Sequence, residues 1–95
     1  MRKIVVNACY GGFGLSPTGL SMYEYYAGKR PEDDRDIPRD DFFLVHIVKH
    51  YGEAVAGAHA KLRVVEIPDD VDWVVEEYDG FEWVSEKHRT WRAAV

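Results

Sequence analysis

Residues 7–17, NACYGGFGLSP, follow the apolar run Ile-Val-Val and precede a stretch of helical periodicity. A continuous β-branched run is typical of a buried strand, so we predict a strand over residues 3–8. Ser16 followed by Pro17 predicts a helix start, because the hydroxyl caps the helix and proline suits its first position. The glycines between them favour a sharp turn, here called the glycine corner (residues 11–16).

The helical segments have clear ends. Gly28 is a natural stop for the first helix, which begins at the glycine corner. A second helix is predicted to start near Asp40 or Asp41, where a carboxylate can cap it. Apolar residues then recur at helical spacing up to residue 51, and Gly52 ends the pattern.

The remaining strands lie in the second half of the chain. Residues 62–67 are predicted to form a strand that a proline and two aspartates stop. Residues 71–78 and 81–87 flank Asp79 and Gly80, and an Asp-Gly pair between β-rich runs predicts a hairpin.

Counting outward from this turn gives the cross-strand pairs Tyr78–Phe81, Glu77–Glu82, Glu76–Trp83 and Val75–Val84. Glu77 opposite Glu82 places like charges together, which is unfavourable without a cation, a solvated face or a basic partner. We therefore regard Glu77, Glu82 and the neighbouring Trp83 as candidates for binding a partner.

These elements predict an α+β or α/β fold in a single small domain over residues 1–95. We expect a short sheet of about four strands, including the C-terminal hairpin, with two helices packed on one face. Because a helical connection joins the first two strands, we expect them to be parallel, with the hairpin extending one edge of the sheet.

Composition limits the function classes. The net charge of −5 makes a nucleic-acid partner an unfavoured hypothesis, because phosphate contacts need clustered cations. The single cysteine excludes an internal disulfide, and no segment has the length of a signal peptide or a membrane span. We therefore expect a cytoplasmic protein with no membrane partner and no cofactor.

A ligand site is conceivable at the glycine corner. Its spacing matches neither the phosphate-binding loop nor the dinucleotide fingerprint, so tight packing of a strand–helix junction is the competing interpretation. If the basic, aromatic C-terminal tail folded onto the corner, the two would form one anion-binding pocket. The ligand-binding candidates are then Tyr10, Gly11, Gly12, Gly14, Ser16, His88, Arg89 and Trp91.

Catalytic and metal-binding signals are weak. Cys9 could act as a nucleophile only with a base beside it, for which His88 and His59 are the available histidines. His46 and His50 share a helical face, but Ile47 stands where a metalloprotease motif has glutamate, so we interpret them as surface histidines. These patterns favour a protein that is not an enzyme and holds no metal.

Several sequence blocks resemble a family of small uncharacterised bacteriophage and prophage proteins. The blocks are CYGGFGLS from residue 9, DIPRDD from residue 36, VVEIPDDV from residue 64, and EEYDG with EKHRTW from residues 76 and 86. The resemblance implies a viral or prophage origin and action in the cytoplasm of a bacterial host. It implies no catalytic residues.

The leading hypothesis is therefore a phage accessory protein that binds a host or viral protein without catalysis, in host takeover or anti-defence. One alternative is a phosphate- or nucleotide-binding protein or enzyme that uses the glycine corner and the C-terminal tail. Another is an acidic mimic of nucleic acid built on Glu76, Glu77, Asp79, Glu82 and Glu86. Exposed aromatic residues could also join two copies of the chain, so a homo-oligomer is a further hypothesis.

Overall fold

The computed structural model describes residues 1–86, whose elements follow the predicted order. They are strand β1 (Arg2–Asn7), helices α1 (Pro17–Ala27) and α2 (Phe42–Tyr51), and strands β2 (Leu62–Ile67), β3 (Trp73–Tyr78) and β4 (Phe81–Glu86), with 3-10 helices at Asp34–Asp36 and Gly52–Val55. The α+β class is confirmed. No helix in this range is both long and apolar enough to cross a bilayer.

Both helices begin and end where local capping predicts. The Ser16 hydroxyl accepts a hydrogen bond from an amide in the first turn of α1, and Gly28 ends that helix with a φ of 88°. At α2, one carboxylate oxygen of Asp41 accepts from the amides of Phe43 and Leu44, at 2.9 and 3.0 Å. These bonds satisfy amides that a helix start otherwise leaves unpaired.

The predicted parallel pairing of the first two strands is wrong, because β1 and β2 are antiparallel. After α2 the chain returns along the glycine corner, where Leu15 bridges Ala56 and the Gly57 amide donates to the Gly14 carbonyl. It therefore enters β2 beside Asn7, the last residue of β1. The connection through the two helices therefore returns the chain to the C-terminal end of β1. Because β2 starts at that end, it runs antiparallel to β1.

The hairpin has the predicted register, with all four counted pairs confirmed. Asp79 and Gly80 both have positive φ, 51° and 89°, which is the requirement of the type I′ turn. The four strands form two separate two-stranded sheets, so the prediction that the hairpin extends one edge of the sheet is wrong, and the hairpin does not pair with the outer edge of β1. At that edge the Val5 amide instead donates to the Arg39 carbonyl at 2.8 Å, which occupies the position a further strand would need.

The hydrophobic core lies between α2 and the β1–β2 pair. Val5, Leu44, Ile47 and Val55 are fully buried in it, and α2 contacts both strands while α1 packs on α2 and the adjoining 3-10 helix. Strand β4 also contacts β1, which places the hairpin turn beside the glycine corner. This contact creates the site.

Candidate functional site

Asn7 is a fully buried polar residue at the junction of the two sheets. Its side-chain oxygen accepts from the Lys61 amide at 2.7 Å, and its side-chain nitrogen donates to the carbonyls of Cys9 and Gly80 at 2.9 and 2.8 Å. Buried polar groups are stable when they are fully hydrogen-bonded. One side chain thus links β1, the residues before the glycine corner, the start of β2 and the hairpin turn.

A largely buried ion pair joins the hairpin to the rest of the domain. The Glu82 carboxylate accepts two hydrogen bonds from the Arg39 guanidinium, one of 2.9 Å. It accepts a third from the backbone amide of Asn7 at 2.8 Å. The Arg39 guanidinium also lies 3.7 Å from the centre of the Phe13 ring, a cation–π contact. The Glu82 carboxylate therefore binds the backbone amide of Asn7, which a further strand beside β1 would otherwise have paired.

This arrangement explains the two glutamates that the hairpin register places opposite each other. Glu82 is 8% exposed and is neutralised by Arg39, while Glu77 accepts a hydrogen bond from the Gly80 amide at 2.9 Å. The cation needed beside these two glutamates is therefore Arg39 of the same chain. Glu82 is thus engaged internally, whereas Glu77 and Trp83 are exposed.

The glycine corner is shaped by close approach to two other segments. A β-carbon on Gly11 would lie 1.6 Å from the His59 carbonyl oxygen, and one on Gly80 would lie 2.9 Å from the Gly12 amide nitrogen. Only glycine fits at such separations. The packing interpretation of the corner therefore has a direct geometric basis at Gly11, and Gly80 of the hairpin turn meets the same segment closely.

An open cleft of about 610 Å³ borders the corner, and the two arginines that line it are already paired with carboxylates. Arg39 is bound to Glu82, and hydrogen bonds from the side chain and amide of Arg35 lower the pKa of Asp33 to about 2. The Leu15 amide donates to the Asp34 carboxylate at 2.8 Å, so a carboxylate of the protein occupies the place an anionic ligand would take.

Of the predicted ligand residues in the corner, Ser16 has structural partners and the three glycines border the cleft. The Ser16 hydroxyl donates to the Ala54 carbonyl and caps α1, while Gly11, Gly12 and Gly14 line the cleft. The predicted tail residues His88, Arg89 and Trp91 lie outside the described residues. Within residues 1–86, no group of three metal-ligating side chains is present.

Cys9 is held as a hydrogen-bond donor. Its thiol donates to the His59 carbonyl at 3.2 Å and to the Asn7 side-chain oxygen at 3.5 Å. Both neighbours are hydrogen-bond acceptors within the fold, so the contacts of Cys9 assign it a structural place beside Asn7. Of the two histidines considered as a base, His88 is beyond the described residues, and His59 contacts Cys9 through its backbone carbonyl.

The outer face of the hairpin carries exposed aromatic side chains close to the site. Tyr78 is 71% exposed, Trp83 41% and Phe81 36%, and Tyr10 from the chain before the glycine corner packs against Phe81 with ring centres 5.4 Å apart. Residues on one face of a strand alternate, and Tyr78, Phe81 and Trp83 share this face by register. We call these four residues the aromatic face.

Comparison with protein-family models, curated proteins and solved structures finds no match for this chain. Two residues of the site, Asn7 and Arg39, were not predicted from the sequence. A polar residue directly after an apolar run was the available signal for Asn7. Arg39 offered none, since its partner lies 43 positions away.

Proposed function

We propose that this protein is a non-catalytic binding protein whose aromatic face docks onto a basic surface of another protein. The observation that carries the proposal is the exposure of the aromatic face on one side of the hairpin. The opposite side attaches the hairpin to the domain through Glu82 and Arg39. Tyrosine and tryptophan are the residues most enriched as anchors in protein interfaces.

Charge supports a basic partner. The hairpin, residues 73–86, has no Lys or Arg and carries five carboxylates, Glu76, Glu77, Asp79, Glu82 and Glu86. Five negative charges equal the net charge of −5 of the whole chain, so the remainder is formally neutral. Glu82 is neutralised by Arg39, and Glu77 and Glu86 lie on the opposite strand face by register, so Glu76 and Asp79 are the hairpin carboxylates that adjoin the aromatic face. Aromatic rings beside these two carboxylates are complementary to a basic, partly apolar surface.

The resemblance to phage proteins directs the choice of partner. We propose a bacterial host protein or a phage protein met in the host cytoplasm, in keeping with host takeover or anti-defence. Three contacts at the glycine corner favour this over catalysis or phosphate binding there. Asp34 accepts from the Leu15 amide, Glu82 neutralises Arg39, and the His59 carbonyl accepts from the Cys9 thiol.

The test is affinity capture of proteins from a bacterial lysate, followed by measurement of binding to the purified captured protein. We expect Trp83→Ser and Tyr78→Ser each to weaken that binding by about 2 kcal/mol, because interface anchors of this type carry most of the affinity. Tyr25→Ser is the matched control, since Tyr25 on α1 is 77% exposed and lies outside the aromatic face.

Salt separates this proposal from the nucleic-acid mimic. A protein interface centred on aromatic rings loses only part of its affinity at high salt, whereas a purely electrostatic mimic loses nearly all of it. Undiminished binding by Trp83→Ser and Tyr78→Ser, with loss only in Glu77→Lys, would replace the proposal with the mimic. Equal losses in Tyr25→Ser would show that the aromatic face is not the interface.

A further inference from the structure

A second surface, which shares no residue with the aromatic face, carries unpaired positive charge. The start of β1 and the outer face of α2 enclose a groove of about 480 Å³ that contains Arg2, Lys3 and Lys49. None of these three cations makes a side-chain hydrogen bond or ion pair within residues 1–86, although five other cationic groups in that range do. A protein with a net charge of −5 thus gathers three free cations in one groove.

The carboxylates near the groove leave these cations uncompensated. Asp40 lies at its edge and forms no ion pair among the described residues. Glu66 is opposite Lys3 in the β1–β2 register, and the two are not joined by an ion pair. Counting Arg2, Lys3, Lys49 and Asp40, the groove lining carries a formal charge of +2.

Aromatic rings lie beside these cations in a helical row. Phe42, His46 and Lys49 are spaced four and three residues apart and therefore share one face of α2. Phe42 is 75% exposed, and the His46 ring lies 4.3 Å from the ring of His50 between centres. An aromatic ring can stack on a nucleobase, and neighbouring ammonium and guanidinium groups can bind its phosphate.

We propose that this groove binds a free nucleotide, with the phosphate on Arg2, Lys3 and Lys49 and the base stacked beside Phe42 and His46. The volume is in the range of small-ligand sites. The acidic net charge of the chain disfavours a long polyanion, whose binding depends on many phosphate contacts at once. A mononucleotide needs only the local cations.

The test is titration of the full chain with AMP, adenosine, inorganic phosphate and a short oligothymidylate, followed by calorimetry and by NMR of the histidine ring protons. We expect AMP to bind more tightly than adenosine or phosphate and to shift the His46 ring signals. Lys49→Gln is expected to weaken AMP about fivefold through loss of one charge-assisted contact, with adenosine unaffected. Phe42→Ser is expected to weaken AMP and adenosine by a similar factor.

Two matched controls separate specific binding from general electrostatics. Lys61→Gln makes the same charge change at an exposed site outside the lining of this groove, and Tyr25→Ser removes an exposed ring from α1. Both are expected to keep AMP affinity within about twofold of the original protein. Absence of AMP binding, equal affinity for AMP and phosphate, binding of oligothymidylate alone, or equal losses in Lys49→Gln and Lys61→Gln would each overturn the proposal.

Discussion

Glu82→Gln is expected to lower the free energy of unfolding by about 3 kcal/mol, because it leaves the Arg39 guanidinium largely buried without its counter-ion. The side chains of Arg39 and Glu82 are only 18% and 9% exposed, so water cannot replace the lost charge fully. Urea unfolding measures the global loss. Amide hydrogen exchange should show faster exchange in β3 and β4 than in β1 and α2, since Glu82 attaches the hairpin to the domain.

Glu77→Gln is the matched control, because Glu77 lies directly across the hairpin from Glu82 and is exposed. Its effect is expected to stay within about 0.5 kcal/mol, as for other surface substitutions. The double variant Arg39→Met with Glu82→Leu should recover part of the loss, because an apolar pair removes both buried charges. Equal losses in Glu77→Gln and Glu82→Gln would show that the ion pair does not hold the hairpin.

Gly11→Ala is expected to destabilise the fold by about 3 kcal/mol, the upper part of the usual range for overpacking. Its β-carbon would lie 1.6 Å from the His59 carbonyl oxygen, which belongs to the backbone and cannot rotate away. Either the glycine corner or the segment before β2 has to move. Because Cys9 donates to the same carbonyl, the shift would also break the 3.2 Å thiol contact.

Gly14→Ala provides the comparison within the same segment. A β-carbon there would lie 3.7 Å from the nearest atom, a carboxylate oxygen of Asp34, which is ordinary contact. We expect a change of less than about 1 kcal/mol, in either direction. Thermal and urea unfolding of the two variants side by side measure the difference, and equal stability would contradict the close approach at Gly11.

The binding surfaces differ in how far the sequence indicated them. The Asp79-Gly80 turn alone set the register that puts Tyr78, Phe81 and Trp83 on one face. The helical spacing of His46 and His50 was equally visible, but it pointed to a surface histidine pair. The contribution of Arg2 and Lys3 became evident only once β1 lay beside α2, since strand and helix are far apart in the chain.

The sequence by itself determined the features that depend on a few neighbouring residues. Ser16 and Asp41 cap their helices, Gly28 and Gly52 end them, and the Asp-Gly turn forces the hairpin register. Each of these follows from hydrogen bonds or backbone angles within about four positions, so no knowledge of the rest of the fold is needed.

Only the tertiary structure decided how the two sheets are joined. The bonds of Asn7 to Gly80 and of Arg39 to Glu82 span 73 and 43 positions, and the antiparallel β1–β2 pair depends on the return of the chain past the glycine corner. Contacts between such distant residues form because the complete fold buries them and neutralises their charges. Local sequence preferences do not determine them. For that reason a glutamate that the sequence placed in a repulsive pair is, in the folded protein, the residue that holds the hairpin in place.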